Sequence, residues 1–98
     1  MANADERDRE LERLLGALVC LRTPEEARAL LLDLCTVREI EDLSQRLEVA
    51  RMLAAGASYV DVSRTTGASS TTVSRVSKCL NGEAGGYRMV LDRLEACR

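Results

Sequence analysis

Residues 58–80 read SYVDVSRTTGASSTTVSRVSKCL, and the punctuation of this stretch predicts a short helix, a tight turn and a second helix. Ser58 is placed to cap the first helix, which should run through Thr65. Gly67 supplies the residue able to take a positive φ in the turn. The second helix should run from about Ser69 to Leu80. A helix-turn-helix also needs a small residue where its two helices approach and apolar residues that brace the second helix. Ser63 meets the first requirement, and Val62, Ala68, Val73 and Val76 meet the second. Thr66 stands where an aliphatic residue is usual and is expected to pack by its methyl group.

The outward side of the second helix carries the functional signal. At about 100° per residue from Val73, the side away from the core holds Thr71, Ser74, Arg75 and Lys78. Ser69, Ser70, Thr71 and Thr72 crowd its N-terminus. A recognition helix enters the major groove tip first, offering short hydroxyl side chains, backbone N–H groups and the positive end of its dipole. Arg75 and Lys78 add charge for phosphate or guanine. The pattern therefore predicts contacts to double-stranded DNA by Ser69, Ser70, Thr71, Thr72, Ser74, Arg75 and Lys78. The plain alternative is that the hydroxyls cap a helix and the cations solvate it.

Helical signals continue in both directions. Residues 5–21 place Leu11, Leu14, Leu15, Leu18 and Val19 on one stripe, the spacing of an amphipathic helix. Thr23-Pro24-Glu25-Glu26 is a capping box with proline at the first helical position, and Leu30, Leu31 and Leu34 follow on one side. Thr36-Val37-Arg38-Glu39 opens a longer helix to about Ala55, whose expected apolar face is Ile40, Leu43, Leu47, Ala50 and Leu53. Gly56 is placed to end it. Residues 81–86 form a glycine-containing, flexible joint before a last helix, Tyr87 to about Ala96. The fold class is all-α, about six helices in a single domain over residues 1–98, with the helix-turn-helix at 58–80.

Composition narrows the function. The chain has 98 residues and no histidine, which removes imidazole bases and histidine-ligated zinc. No grouping suggests a nucleophile, an acid–base pair or a phosphate loop, so neither an enzyme nor a cofactor is expected. Cys20, Cys35, Cys79 and Cys97 form no CxxC pair. Cys20 and Cys35 lie among apolar residues and are expected to act as small buried hydrophobes. The start is acidic, and the longest apolar run, Leu14 to Leu21, is too short to span a bilayer. These features predict a soluble, cytoplasmic chain without a membrane anchor. Net charge is −2, but it is unevenly spread. Residues 1–57 carry 8 basic and 12 acidic groups, whereas 58–82 carry Arg64, Arg75 and Lys78 against Asp61 alone. Local potential within a Debye length of about 8–10 Å governs an encounter with DNA.

From Leu30 to Leu80 the chain resembles the tryptophan repressor family, and within it the Trp repressor-related branch. The resemblance rests on Leu-Leu-Asp-Leu at 31–34, Thr36, Leu43, Arg46, Gly56, Ser58, Val62, Gly67-Ala68 and Thr72-Val73-Ser74-Arg75. It implies six helices in an intertwined homodimer, with the fourth and fifth forming the DNA-reading unit. It also implies a small-molecule effector held near Thr36, Arg46 and Arg75. Val76 stands where the repressor has a glycine beside the indole ring of its corepressor, and Cys79 where it has a serine, so tryptophan itself is not the expected effector. Read without the family, Arg46 and Asp42 make an i, i+4 surface ion pair worth about 0.3–0.5 kcal/mol, and Thr36 is an N-cap.

Together these features predict a homodimeric, sequence-specific transcriptional regulator that binds DNA through a helix-turn-helix and responds to an effector other than tryptophan. A contrasting reading is an interaction protein that dimerises, or binds another regulator through its N-terminal leucines, without reading DNA.

Overall fold

Thr23, Ser58 and Ser69 each cap the start of a helix, and Gly56 and Gly67 each close the end of one. The order is α1 (Ala4–Cys20), α2 (Pro24–Leu34), α3 (Val37–Ala54), α4 (Tyr59–Thr66), α5 (Ser70–Leu80) and α6 (Gly86–Ala96), in a computed structural model that describes residues 4–97. No strand occurs among the described residues. The chain divides into two compact units, Met1–Val37 and Arg38–Arg98.

In the N-terminal unit, the Thr23 hydroxyl accepts the Glu26 N–H at 3.1 Å, which starts α2. The Glu26 carboxylate reaches back one residue further than a capping box requires and accepts the N–H of Arg22 at 3.0 Å. Neither α1 nor α2 buries a residue. Leu11, Leu14, Leu15 and Leu18 are all exposed. Cys20, expected to be buried, is exposed as well, and Cys35 is half-buried. The apolar sequence around Cys20 lies on an exposed stripe of α1.

The second unit holds the core. Val49, Ala50, Val62, Ala68, Val73 and Val76 form one buried cluster, with Met52, Leu53, Ala57, Tyr87 and Leu91 packed against it. Of the expected apolar face of α3, Ala50 lies in this cluster and Leu53 packs against it, whereas Val49 joins in place of Leu43 and Leu47. Val49 is 0% exposed, while Leu43 and Leu47 remain 45% and 37% exposed. Val49 of α3, Val62 of α4 and Val73 and Val76 of α5 do the packing here, and a valine fills a gap with little rotamer freedom to lose.

Three glycines, Gly56, Gly67 and Gly85, take a positive φ, and the first two end helices. Gly56, at φ +93°, ends α3. Its own N–H donates to the Leu53 carbonyl at 3.0 Å, and Ala57 N–H donates to the Met52 carbonyl at 3.1 Å, the paired closure of a Schellman motif. Gly67, at φ +77°, ends α4 and donates its N–H to the Ser63 carbonyl at 2.9 Å. The segment 81–86, expected to be a flexible joint, is bonded at its start. Arg88 Nε donates to the Leu80 carbonyl at 3.2 Å and Arg88 Nη2 to Asn81 Oδ1 at 2.9 Å, so α6 is fastened to the end of α5.

Candidate nucleic-acid interface

The α4–α5 pair is built from caps outward. Ser58 opens α4 by accepting the Asp61 N–H at 3.1 Å. Ser69 opens α5 by accepting the Thr72 N–H at 3.1 Å, and it donates its own proton to the Thr72 hydroxyl. Val62 on α4 and Val73 and Val76 on α5 face inward and are buried. The turn is held by side-chain hydroxyls. Ser63 Oγ donates to the Ala68 carbonyl at 2.6 Å, fixing the crossing where a small residue was expected.

Thr66 behaves differently from the expectation. Its hydroxyl donates to the Val62 carbonyl at 2.7 Å and accepts the Ala68 N–H at 3.1 Å. It stitches the end of α4 to the start of the turn with polar contacts, where packing by the methyl was anticipated. Gln45 of α3 adds a long-range brace, donating from Nε2 to the Thr66 carbonyl at 3.2 Å. The Tyr59 hydroxyl donates to Ser77 Oγ at 2.6 Å, tying the first turn of α4 to the middle of α5. Neither Gln45 nor Tyr59 carries a local signal in the sequence, since each bonds a residue about twenty positions away.

The residues expected to meet DNA fall into two groups. Ser70, Thr71, Ser74, Arg75 and Lys78 are exposed on one side of α5. Ser69 and Thr72 share the capping network at its tip, and Thr72 is half-buried. Among the described residues, Arg75 and Lys78 make no ion pair of the kind that holds Arg38 or Arg51.

The other flank of α5 faces a cleft of about 160 Å³ lined by Arg46, Thr72, Arg75, Val76, Cys79 and Tyr87. Arg46 and Arg75, two of the positions implied for an effector, are thus brought together. Thr36, the third, is an exposed residue of the N-terminal unit. The expected Asp42–Arg46 ion pair is not formed. Asp42 instead pairs with Arg38 at 3.5 Å, one turn earlier on α3. Arg46 is left to line the cleft. Val76 is 3% exposed and belongs to both the core and the cleft wall. The volume lies well below the roughly 300–1,000 Å³ of ordinary ligand pockets.

Elsewhere on α3, Arg51 pairs with Glu48, Nε lying 3.0 Å from each carboxylate oxygen. The hydrogen bonds from Arg51 hold the Glu48 carboxyl below its ordinary value, and those to Glu48 raise Arg51. Among the described residues no helix is long and apolar enough to cross a membrane, and no group of carboxylates and thiols is arranged to hold a metal ion.

A profile of the family described as Trp repressor protein matches residues 9–95. The Bacillus subtilis (strain 168) protein YerC is 46% identical over 89 residues, covering 91% of this chain and 86% of its own length. Two solved structures match nearly end to end. A TrpR-like protein from Eubacterium eligens superposes with a TM-score of 0.84 at 41% identity, covering 95% of this chain and 96% of the other. A candidate Trp repressor from Staphylococcus aureus gives a TM-score of 0.85 at 38% identity, with 96% of each chain covered.

Proposed function

Because the chain belongs to the Trp repressor family, we propose that it is a homodimeric, sequence-specific DNA-binding regulator that reads duplex DNA with α4 and α5 as a helix-turn-helix. The observation that carries the reading is the construction of α5. Its inner side is anchored by Val73, Val76 and Leu80, and its outer side offers Ser70, Thr71, Ser74, Arg75 and Lys78. A rigid helix with short hydroxyls at its tip and cations further along suits entry into the major groove. Ser69 and Thr72 serve by shaping that tip. Two-fold symmetry would set two such tips about 34 Å apart, one turn of duplex.

The dimer is supported by apolar surface the single chain leaves open. The leucine stripe of α1 is exposed, and so are Leu43 and Leu47 on α3. Exposed leucines in such numbers on a 98-residue chain suit association better than solvent. We read the regulator as cytoplasmic and without catalytic activity.

The effector we propose is a small anion held by Arg46 and Arg75, which line one cleft. Paired guanidiniums recognise carboxylates or phosphates well. A flat indole ring is disfavoured by the isopropyl group of Val76 in a cleft of about 160 Å³.

Fluorescence anisotropy of the purified protein on fragments selected from genomic DNA, with and without added amino acids, tests the proposal. Salt-dependent retention of a pseudo-palindromic set is the expected result. Failure to retain any fragment at low salt overturns it, and enhancement by tryptophan alone overturns the effector assignment.

A further inference from the structure

On the flank of α5 opposite the arginine cleft, α4 and α5 enclose a second groove of about 380 Å³, lined by Tyr59, Val60, Ser63, Arg64, Ser70 and Val73. It is unlike the rest of the α4–α5 surface. Its walls are mainly apolar, with Val73 at the base and two large side chains at the rim, Tyr59 at 50% and Val60 at 66% exposed. The Tyr59 ring cannot swing freely, because its hydroxyl is bonded to Ser77. Arg64 and the hydroxyl of Ser70 edge the same groove.

We propose that this groove is a specificity element, in which Val60 and the Tyr59 ring contact the C5-methyl group of a thymine in the major groove. The inference rests on the DNA-binding reading above and adds to it which chemical feature of a base is recognised. Three observations favour it. Ser70 belongs both to the groove and to the tip of α5, so a duplex seated on that tip meets the groove directly. The thymine methyl is the apolar group that the major groove displays, and apolar side chains read it by contact. Arg64 at the rim supplies the charge that an adjoining phosphate requires. A protein partner suits the site less well, since a stable protein interface buries about 800 Å² on each side and the apolar strip here is three side chains wide.

Val60 is largely exposed, so Val60→Ala should leave the fold intact, and thermal unfolding of the variant verifies that. The test is a uracil scan. On the tightest fragment from genomic selection, each thymine is replaced in turn by uracil, which lacks the methyl group but pairs identically. Anisotropy then gives the affinity of the wild-type protein and of Val60→Ala. One thymine in each half-site should show wild-type binding about fourfold weaker on uracil, the equilibrium worth of one buried methyl group. Val60→Ala should show a clearly smaller uracil penalty than wild type, because the Tyr59 ring remains. A flat scan for wild type overturns the proposal while leaving DNA reading in place, as does a uracil penalty undiminished in Val60→Ala. Uniform weakening of every sequence by Val60→Ala, with a flat scan, would assign the groove to phosphate contact instead and overturns it too. Loss of all fragment binding by wild type would instead be the failure of the DNA-binding reading itself.

Discussion

Replacing Thr66 with valine separates two accounts of the turn between α4 and α5. Pattern matching favours an aliphatic residue at this place, so Thr66→Val should be neutral or stabilising if the methyl group is what matters. The geometry argues the opposite. The hydroxyl accepts the N–H of Ala68, a residue only 3% exposed, and donates to the carbonyl of Val62. A buried donor left without an acceptor costs about 1–3 kcal/mol. The Val62 carbonyl keeps its helical partner, so its loss is small. Against this, an added methyl at a half-buried site recovers at most about 0.8 kcal/mol. The net expectation is a loss of about 1–2 kcal/mol, or a fall in Tm of about 5–10 °C for a domain of this size. Calorimetry must be run at one fixed chain concentration, because any dimer makes Tm concentration-dependent. Thr66→Ser, which keeps the hydroxyl and drops the methyl, should stay within about 1 kcal/mol of wild type. A valine variant as stable as wild type, or a serine variant as unstable as the valine one, would refute the reasoning.

On a bound fragment, Arg75→Ala and Lys78→Ala should each lower the slope of log K against log salt by about 0.9 if each contacts one phosphate; anisotropy across a salt series reads this directly. The double substitution Leu15→Glu and Leu18→Glu puts charge into the exposed stripe of α1 and should halve the mass seen by sedimentation, with helicity largely kept. Gly67→Ala should cost about 1–2 kcal/mol through backbone strain alone, because a Cβ there would meet nothing within 4 Å; Gly67→Asn, better tolerated in the left-handed region, should cost less in the same urea titration. The Glu48 carboxyl is held below its ordinary value by Arg51, so the pair's small contribution is complete above about pH 4.5 and is lost as pH falls through the folded value. Acid unfolding of Glu48→Gln should therefore converge with that of wild type at low pH and fall slightly below it at neutral pH.

The caps were legible because their chemistry is local. Thr23, Ser58, Ser69, Gly56 and Gly67 each act within a few residues of themselves, and each sits where the pattern puts it. The face of α3 was harder. Leu43, Leu47 and Ala50 share a stripe, while Val49 lies 100° round the helix from Ala50, and periodicity weights the large leucines. Which of two adjacent stripes meets α5 depends on how closely the helices approach, and close approach selects valine and alanine. Asp42 posed a symmetric problem, with an arginine four residues away on either side. The usual helical preference for an acid N-terminal to its base points to Arg46, yet Arg38 is the partner. The candidate interface was legible as a helical face, because Thr71, Ser74, Arg75 and Lys78 follow from the position of Val73. The braces by Gln45 and Tyr59 were not, since each joins residues far apart in the chain.

Val76 links the two halves of the functional reading. Its side chain is counted in the core that holds α5 in place and also forms a wall of the cleft beside Arg46 and Arg75. Widening the cleft for a flat ligand would mean removing a buried valine from the helix that must stay rigid, and a glycine in its place would weaken that helix by about 0.3–0.5 kcal/mol more. A protein that relied on a bulky effector to set α5 could tolerate such a loss, because the ligand would restore the missing packing. Here α5 is already fixed by its own chain, through Ser69 at the tip, Tyr59 at the middle and Arg88 at the end. An effector at this site therefore has little positioning left to do. What it can still change is charge, by neutralising Arg46 and Arg75 at the edge of the surface that would face the duplex.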